Sequence, residues 1–244
     1  MNVMAAYARN DLRNIRRDTL LAGVTFGPIL YALMMWLLPS ISDMLAERYG
    51  FDLLPYYPVL ITAFLLLGPI AVLGAVCGLM LLDDKDQRTL SALRVTPAPP
   101  MSYPLYRAAM ISVLSTVSVV VSLAISRLVT AEQLLHSIPA AVVCGLLTAV
   151  VGIGMARFAN NKVEGLAVFR ACGMLILGLP SVPWFFDSLA LDLSFGVLPF
   201  FWPVKAFWAM MDGGFYWHYV FIGAAYAVLL LALLLRGFRT LRVL

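Results

Sequence analysis

Long apolar runs separated by short basic stretches dominate the chain. Leu20–Leu38 and Val59–Leu82 contain no charged residue. Ala108–Ser126 follows directly on Arg107, and Ile138–Ala156 is a fourth run of the same kind. A fifth begins near Gly165, carries Arg170 in its first turns and reaches Pro180; a sixth covers Tyr219–Leu235. An α-helix needs roughly 20 apolar residues to cross the hydrocarbon of a bilayer. The pattern therefore predicts an all-α integral membrane protein with spans at 20–38, 59–82, 108–126, 138–156, 165–180 and 219–235. With no internal repeat or linker, 1–244 reads as a single transmembrane domain.

The segments between the runs are unequal. In residues 1–19, Met4, Ala8, Leu12 and Ile15 recur at helical spacing, while Arg9, Arg13, Arg16 and Arg17 fall largely off that stripe. This predicts an amphipathic helix lying in the membrane interface with its basic face on anionic headgroups, or else a basic tail that serves only topology. The following apolar run is too long for a signal-peptide core. It ends in Pro39-Ser40-Ile41-Ser42 without a small-residue cleavage pattern, so it reads as an uncleaved span. The loop Asp83–Pro104 is long and punctuated by Pro97, Pro99, Pro100 and Pro104. The region Ser181–His218 is longer still, but apolar and aromatic, with Trp184, Trp202, Trp208 and Trp217. That composition predicts short re-entrant helices between the fifth and sixth spans, buried against protein.

Composition agrees. Of 244 residues, 62% are hydrophobic and 12% charged, with mean hydropathy +0.92. A soluble domain is roughly 45–50% apolar and about 25% charged, so a soluble fold is excluded. Cys77, Cys144 and Cys172 lie in apolar runs and make no disulfide framework. The placement of charge says more than the net +4. With six spans, Arg9, Arg13, Arg16, Arg17, Lys85, Arg88, Arg94, Arg107, Arg157, Lys162, Arg170, Arg236, Arg239 and Arg242 fall on the side of the termini. Only Arg48, Arg127 and Lys205, of seventeen basic residues, fall on the other. The positive-inside rule then predicts a plasma (inner) membrane protein with both termini cytoplasmic.

Sites for chemistry are scarce. There is no GxxxxGK[ST] phosphate cradle and no HExxH. The two histidines, His136 and His218, are far apart and fall at the outer membrane edge, so no span holds a histidine base. No carboxylate occupies the middle of a span, where an ion-coupled transporter usually keeps one. Arg170, the charge inside the fifth run, reads as a snorkelling side chain or as a functional group. The sequence thus predicts no catalytic residue and no metal ligand. It also shows no energy source: the chain is a passive pore or scaffold, or another subunit drives it.

The loop after the second span is the informative piece. Asp84 with Gln87 resembles a capping box, Leu90 and Leu93 share a face of a short helix, and Thr96-Pro97 ends it. Such a helix suits a groove on a partner protein, or it is a solvated loop with incidental leucines.

This loop resembles the conserved segment of the ABC type-2 permease family: an acidic-basic cluster at the end of the second span, then Gly-Thr-Leu-Glu, paired leucines and Thr-Pro. Asp83, Asp84, Lys85 and Asp86 match the cluster, Thr89-Leu90 the centre, Leu93 a following leucine and Thr96-Pro97 the close. Arg88 stands where the family has glycine, and Ser91 where it has glutamate. The layout is similar too, and Leu198-Pro199-Phe200-Phe201-Trp202-Pro203 resembles the family's aromatic-proline stretch.

The resemblance implies the permease subunit of an exporter. Two permease copies, as homo- or heterodimer, would form a path for a hydrophobic or amphipathic cargo. Separate cytoplasmic ABC ATPase subunits would hold Mg-ATP, with no cofactor in this chain and no nucleic-acid partner. The loop would be the coupling helix, with Asp83, Asp84, Lys85, Asp86, Arg88, Thr89, Leu90, Leu93 and Arg94 as coupling residues. Gly74 and Gly78 form a small-xxx-small pair for close helix packing. Ser115, Ser118, Ser122 and Ser126 line one face of the third span, either bordering a cargo path or binding helices together. The competing readings are a membrane enzyme acting on lipid and a secondary transporter or channel without ATPase.

Overall fold

The computed structural model describes residues 26–86, 102–186 and 189–240, and is all-helical over them. The interfacial helix expected at 1–19 lies outside these residues, as do Arg88, Thr89, Leu90, Leu93 and Arg94. Six helical units are long and apolar enough to cross a membrane: Gly27–Tyr49, Leu54–Asp86, Tyr103–Ser126, Ala131–Phe158, Lys162–Phe185 and Trp217–Arg236.

The last five units each contain a predicted span whole, and the first overlaps 20–38 over residues 27–38, residues 20–25 lying outside the described ones. The first was expected to stop at Leu38. Instead α1 (Gly27–Met34) passes through a 3-10 turn, Met35–Leu37, into α2 (Leu38–Tyr49), which ends at Gly50 with φ +63°. Pro39 falls in the first turn of α2, where its missing N–H breaks no helical bond. Its ring therefore restarts the helix rather than ending it. Ser40, Asp43, Glu47 and Arg48 ride on α2 as exposed residues, so the helix outlasts the apolar run.

The second unit is composite. A 3-10 turn, Leu54–Tyr56, leads into α3 (Tyr57–Ile61), a π-helical segment Thr62–Leu67, and α4 (Gly68–Asp86). Pro58 and Pro69 bracket the π segment, and neither can donate a backbone bond. The Thr62 hydroxyl shares its proton between the Pro58 and Val59 carbonyls, both 2.9 Å away, at the start of the widened turn.

α5 (Ser102–Ser126) and α6 (Ala131–Phe158) are long single helices, α6 with Pro139 inside it. A capping box starts α6, with Thr130 accepting from Gln133 N and the Gln133 side chain accepting from Thr130 N. α7 (Lys162–Leu177) begins at Asn161, whose side chain caps Glu164 N at 2.9 Å, and runs into a 3-10 segment, Leu179–Phe185. Two short helices follow, α8 (Leu189–Phe195) and α9 (Phe201–Met211), before α10 (Trp217–Thr240).

The second and fourth units form the centre, 67% and 61% buried, against 17% for the fifth. α6 packs on α5, α4 and α10, and α7 lies on α4. Glycines set the closest approaches. A Cβ on Gly74 would stand 2.7 Å from Val151, and one on Gly78 2.6 Å from Met155. Gly152 returns the fit, since its Cβ would meet Cys77 at 2.7 Å. The small-residue pair of the second span thus interlocks with the fourth span of the same chain.

Candidate functional site

The spans have two dissimilar ends. One carries Lys85, Arg107, Arg157, Lys162 and Arg236, and holds both roots of the segment 87–101; it is called the basic end below. The other carries α8, α9 and most of the tryptophans.

At the basic end the last turn of α4 presents Asp83, Asp84, Lys85 and Asp86. Asp84 sits inside that turn, not at the start of a new helix as the Asp84/Gln87 spacing suggested. Its carboxylate faces inward. Asp84 Oδ2 pairs with Arg107 Nη2 at 3.2 Å and accepts a hydrogen bond from the Tyr103 hydroxyl. Arg107 Nε and Nη2 both donate to that hydroxyl, at 3.0 and 2.8 Å, and Nη1 lies 3.8 Å from Met80 Sδ. The Arg107 side chain is only 3% exposed. A buried guanidinium needs its donors occupied and its charge balanced. Here one carboxylate, one phenol, a thioether and the Tyr103 ring, 5.3 Å below the guanidinium, do this. Tyr103 and Arg107 are four residues apart on α5, which puts both on one face.

The neighbours of Asp84 in sequence reach other spans. Asp83 Oδ1 pairs with Lys162 Nζ at 2.5 Å, at the start of α7. Lys85 Nζ donates to the Ala159 carbonyl at 3.1 Å, just past α6. Sequence reading missed Tyr103 altogether and treated Arg107 only as a span edge. The i, i+4 spacing of an aromatic and a cation on either side of Pro104, Tyr103 and Arg107, was the available signal.

Inside the bundle, the serines of the third span divide. Ser115 is buried and bonds Thr148 of α6 at 2.6 Å, and Ser122 donates to the Pro28 carbonyl of α1 at 3.2 Å. Ser126 donates to the Leu123 carbonyl at the helix end, and Ser118 is half-buried. Arg170 is exposed on α7 together with Ala167 and Ala171 and with the large apolar side chains Val163, Leu166 and Met174; the exposed faces of α5 and α10 likewise carry Val113, Val117, Val121, Phe221, Val228 and Leu229.

At the opposite end α9 is pinned to the π segment. Trp208 Nε1 points at Thr62 Oγ1 and the Pro58 carbonyl, at 3.3 and 3.4 Å, and Trp184 meets the Trp208 ring edge-on at 5.0 Å. Lys205 pairs with Asp192 of α8 at 2.6 Å, and Trp202 Nε1 donates to the Gly196 carbonyl. Among the described residues, no three of His, Cys, Asp and Glu lie close enough together to hold a metal ion.

Two curated relatives match almost end to end. The fluoroquinolones export permease proteins Rv2686c and MT2760, from Mycobacterium tuberculosis strains ATCC 25618/H37Rv and CDC 1551/Oshkosh, are each 44% identical over 237 residues. The alignment covers 97% of this chain and 94% of each relative. No solved structure matches the chain. The family of Rv2686c-like fluoroquinolones export permease proteins matches over residues 11–235. With six apolar helical units and a near full-length match, the chain is a multi-pass membrane permease that belongs to the Rv2686c-like family of fluoroquinolones export permeases.

Proposed function

We propose that this chain is the membrane subunit of an ATP-driven exporter of planar, amphipathic aromatic drugs of the fluoroquinolone kind. The observation that carries the substrate class is the 44% identity over nearly the whole chain to permeases named for fluoroquinolone export. The absence of any triphosphate-binding motif in the sequence supports a separate ATPase, which would bind Mg-ATP and dock on the loop 87–101. The charge asymmetry supports an inner-membrane protein whose basic end and termini are cytoplasmic.

In this arrangement α8 and α9 dip back into the outer leaflet. Their aromatic surfaces and the contacts of Trp208 with Thr62 and Pro58 support burial against protein. A second permease copy completes the path. The exposed apolar surface of α7, in the unit least covered by its own chain, supports its approach there. The buried serines Ser115 and Ser122 are assigned to helix packing, with their hydroxyls consumed by Thr148 and Pro28.

Cells that express the chain together with its ATPase should accumulate severalfold less norfloxacin than cells lacking it, read from the drug's own fluorescence in washed cells. Equal accumulation would remove the drug-export assignment.

A further inference from the structure

We propose that the charged foot of α4 is a transmission element: Asp83, Asp84 and Lys85 carry displacement of the loop to the third, fourth and fifth spans, and do not themselves bind the ATPase. This rests on the reading that the ATPase docks on the loop 87–101.

Successive residues of an α-helix point about 100° apart, so three consecutive side chains in one turn reach three different neighbours. Each has a partner within the chain. Asp84 holds Tyr103 and Arg107 of α5, Lys85 holds the Ala159 carbonyl after α6, and Asp83 holds Lys162 of α7. The Asp84–Tyr103–Arg107 cluster joins the helices on either side of the loop, so its roots at Asp86 and Ser102 move as one body. A clamped loop passes a push from below into the spans instead of absorbing it.

The fifth span receives that push through a narrow connection. α7 is little covered by its own chain, and within it lies on α4. Its basic end is fixed by the Asp83–Lys162 pair and the Asn161 cap. A displacement of α4's foot therefore has a direct mechanical path to α7, in the unit least covered by its own chain. Asp83, Lys85 and Lys162 are positioning residues in this account.

The Asp83–Lys162 pair allows a clean test because both side chains are substantially exposed, at 36% and 48%. An exposed pair contributes little to folding. The permease is reconstituted with its ATPase in proteoliposomes, and three quantities are read: ATPase co-purification, the thermal unfolding midpoint, and ATP hydrolysed per norfloxacin moved. Asp83→Lys and Lys162→Asp should each leave the first two at wild-type values. Each should raise the third by about twofold to thirtyfold, the range seen when residues along a coupling route are changed. The double exchange, which rebuilds the pair with its charges swapped, should restore the ratio, whereas either charge acting independently of the other predicts no such rescue, and a merely structural role would move the unfolding midpoint as well. The proposal is overturned if either single variant keeps the wild-type ratio, if the double fails to restore it, or if a single variant sheds the ATPase, which would make these residues docking contacts. Failure of the docking reading looks different: the wild-type chain would then hold no ATPase at all.

Discussion

Replacing Leu90 and Leu93 together by aspartate should detach the ATPase and abolish drug transport, while leaving membrane insertion intact. The spacing of Leu90 and Leu93 predicts that both share one face of a short helix that Thr96-Pro97 ends. Burying a leucine contributes about 1.5–3 kcal/mol, so losing two weakens docking by a hundredfold or more. A carboxylate pressed into the vacated groove adds a desolvation cost. Single rim charges matter less, because exposed ion pairs contribute about 0–1 kcal/mol. Arg88→Gly, which restores the residue usual in the resembling family, should therefore transport normally. Insertion should survive the double change because it lies outside every apolar span. Co-purification and drug-stimulated ATP hydrolysis give the readout, and wild-type levels of both would show that the loop is not the docking element.

Asp84→Ala should lower stability sharply, by about 3–5 kcal/mol, as breaking one side of a buried ion pair does. The Arg107 guanidinium, only 3% exposed, would lose the carboxylate it pairs with at 3.2 Å. Arg107→Met alone should cost less, since Asp84 is the more exposed partner at 18% and can recover water. Asp84→Leu combined with Arg107→Met should return much of the loss, because an apolar pair of similar volume leaves no charge to desolvate. The measurement is the thermal unfolding midpoint in mild detergent. An unchanged midpoint for Asp84→Ala would mean that the Asp84–Tyr103–Arg107 cluster does not hold the roots of the loop together.

The spans were legible because bilayer solubility is written in residue type alone. Their ends were not, because caps and turns set them. Gln133, five residues before the apolar run at Ile138, closes the box that starts α6, and Asn161 starts α7 ahead of Gly165. Pro39 looked like a stop and is a restart, since a proline's effect depends on its place in the turn. The π segment leaves no mark in hydropathy beyond the two prolines that bracket it.

The charged cluster was legible as important but not in its direction. Composition cannot tell a carboxylate facing a partner from one facing its own neighbours, so Asp83, Asp84 and Lys85 read with the loop as ATPase-coupling residues. Only the geometry pairs them with Lys162, Arg107 and Ala159. Gly74 and Gly78 read as a small-residue pair for close packing; such a pattern does not say which helix it meets, and the structure puts the fourth span there.

The central claim is that this chain moves its drug only when a separate ATPase drives it. Proteoliposomes holding the permease with and without that ATPase, loaded with Mg-ATP or given a proton gradient, test it in one assay of norfloxacin movement. The account predicts transport only where ATPase and ATP are both present. Transport by the permease alone under a proton gradient would contradict it.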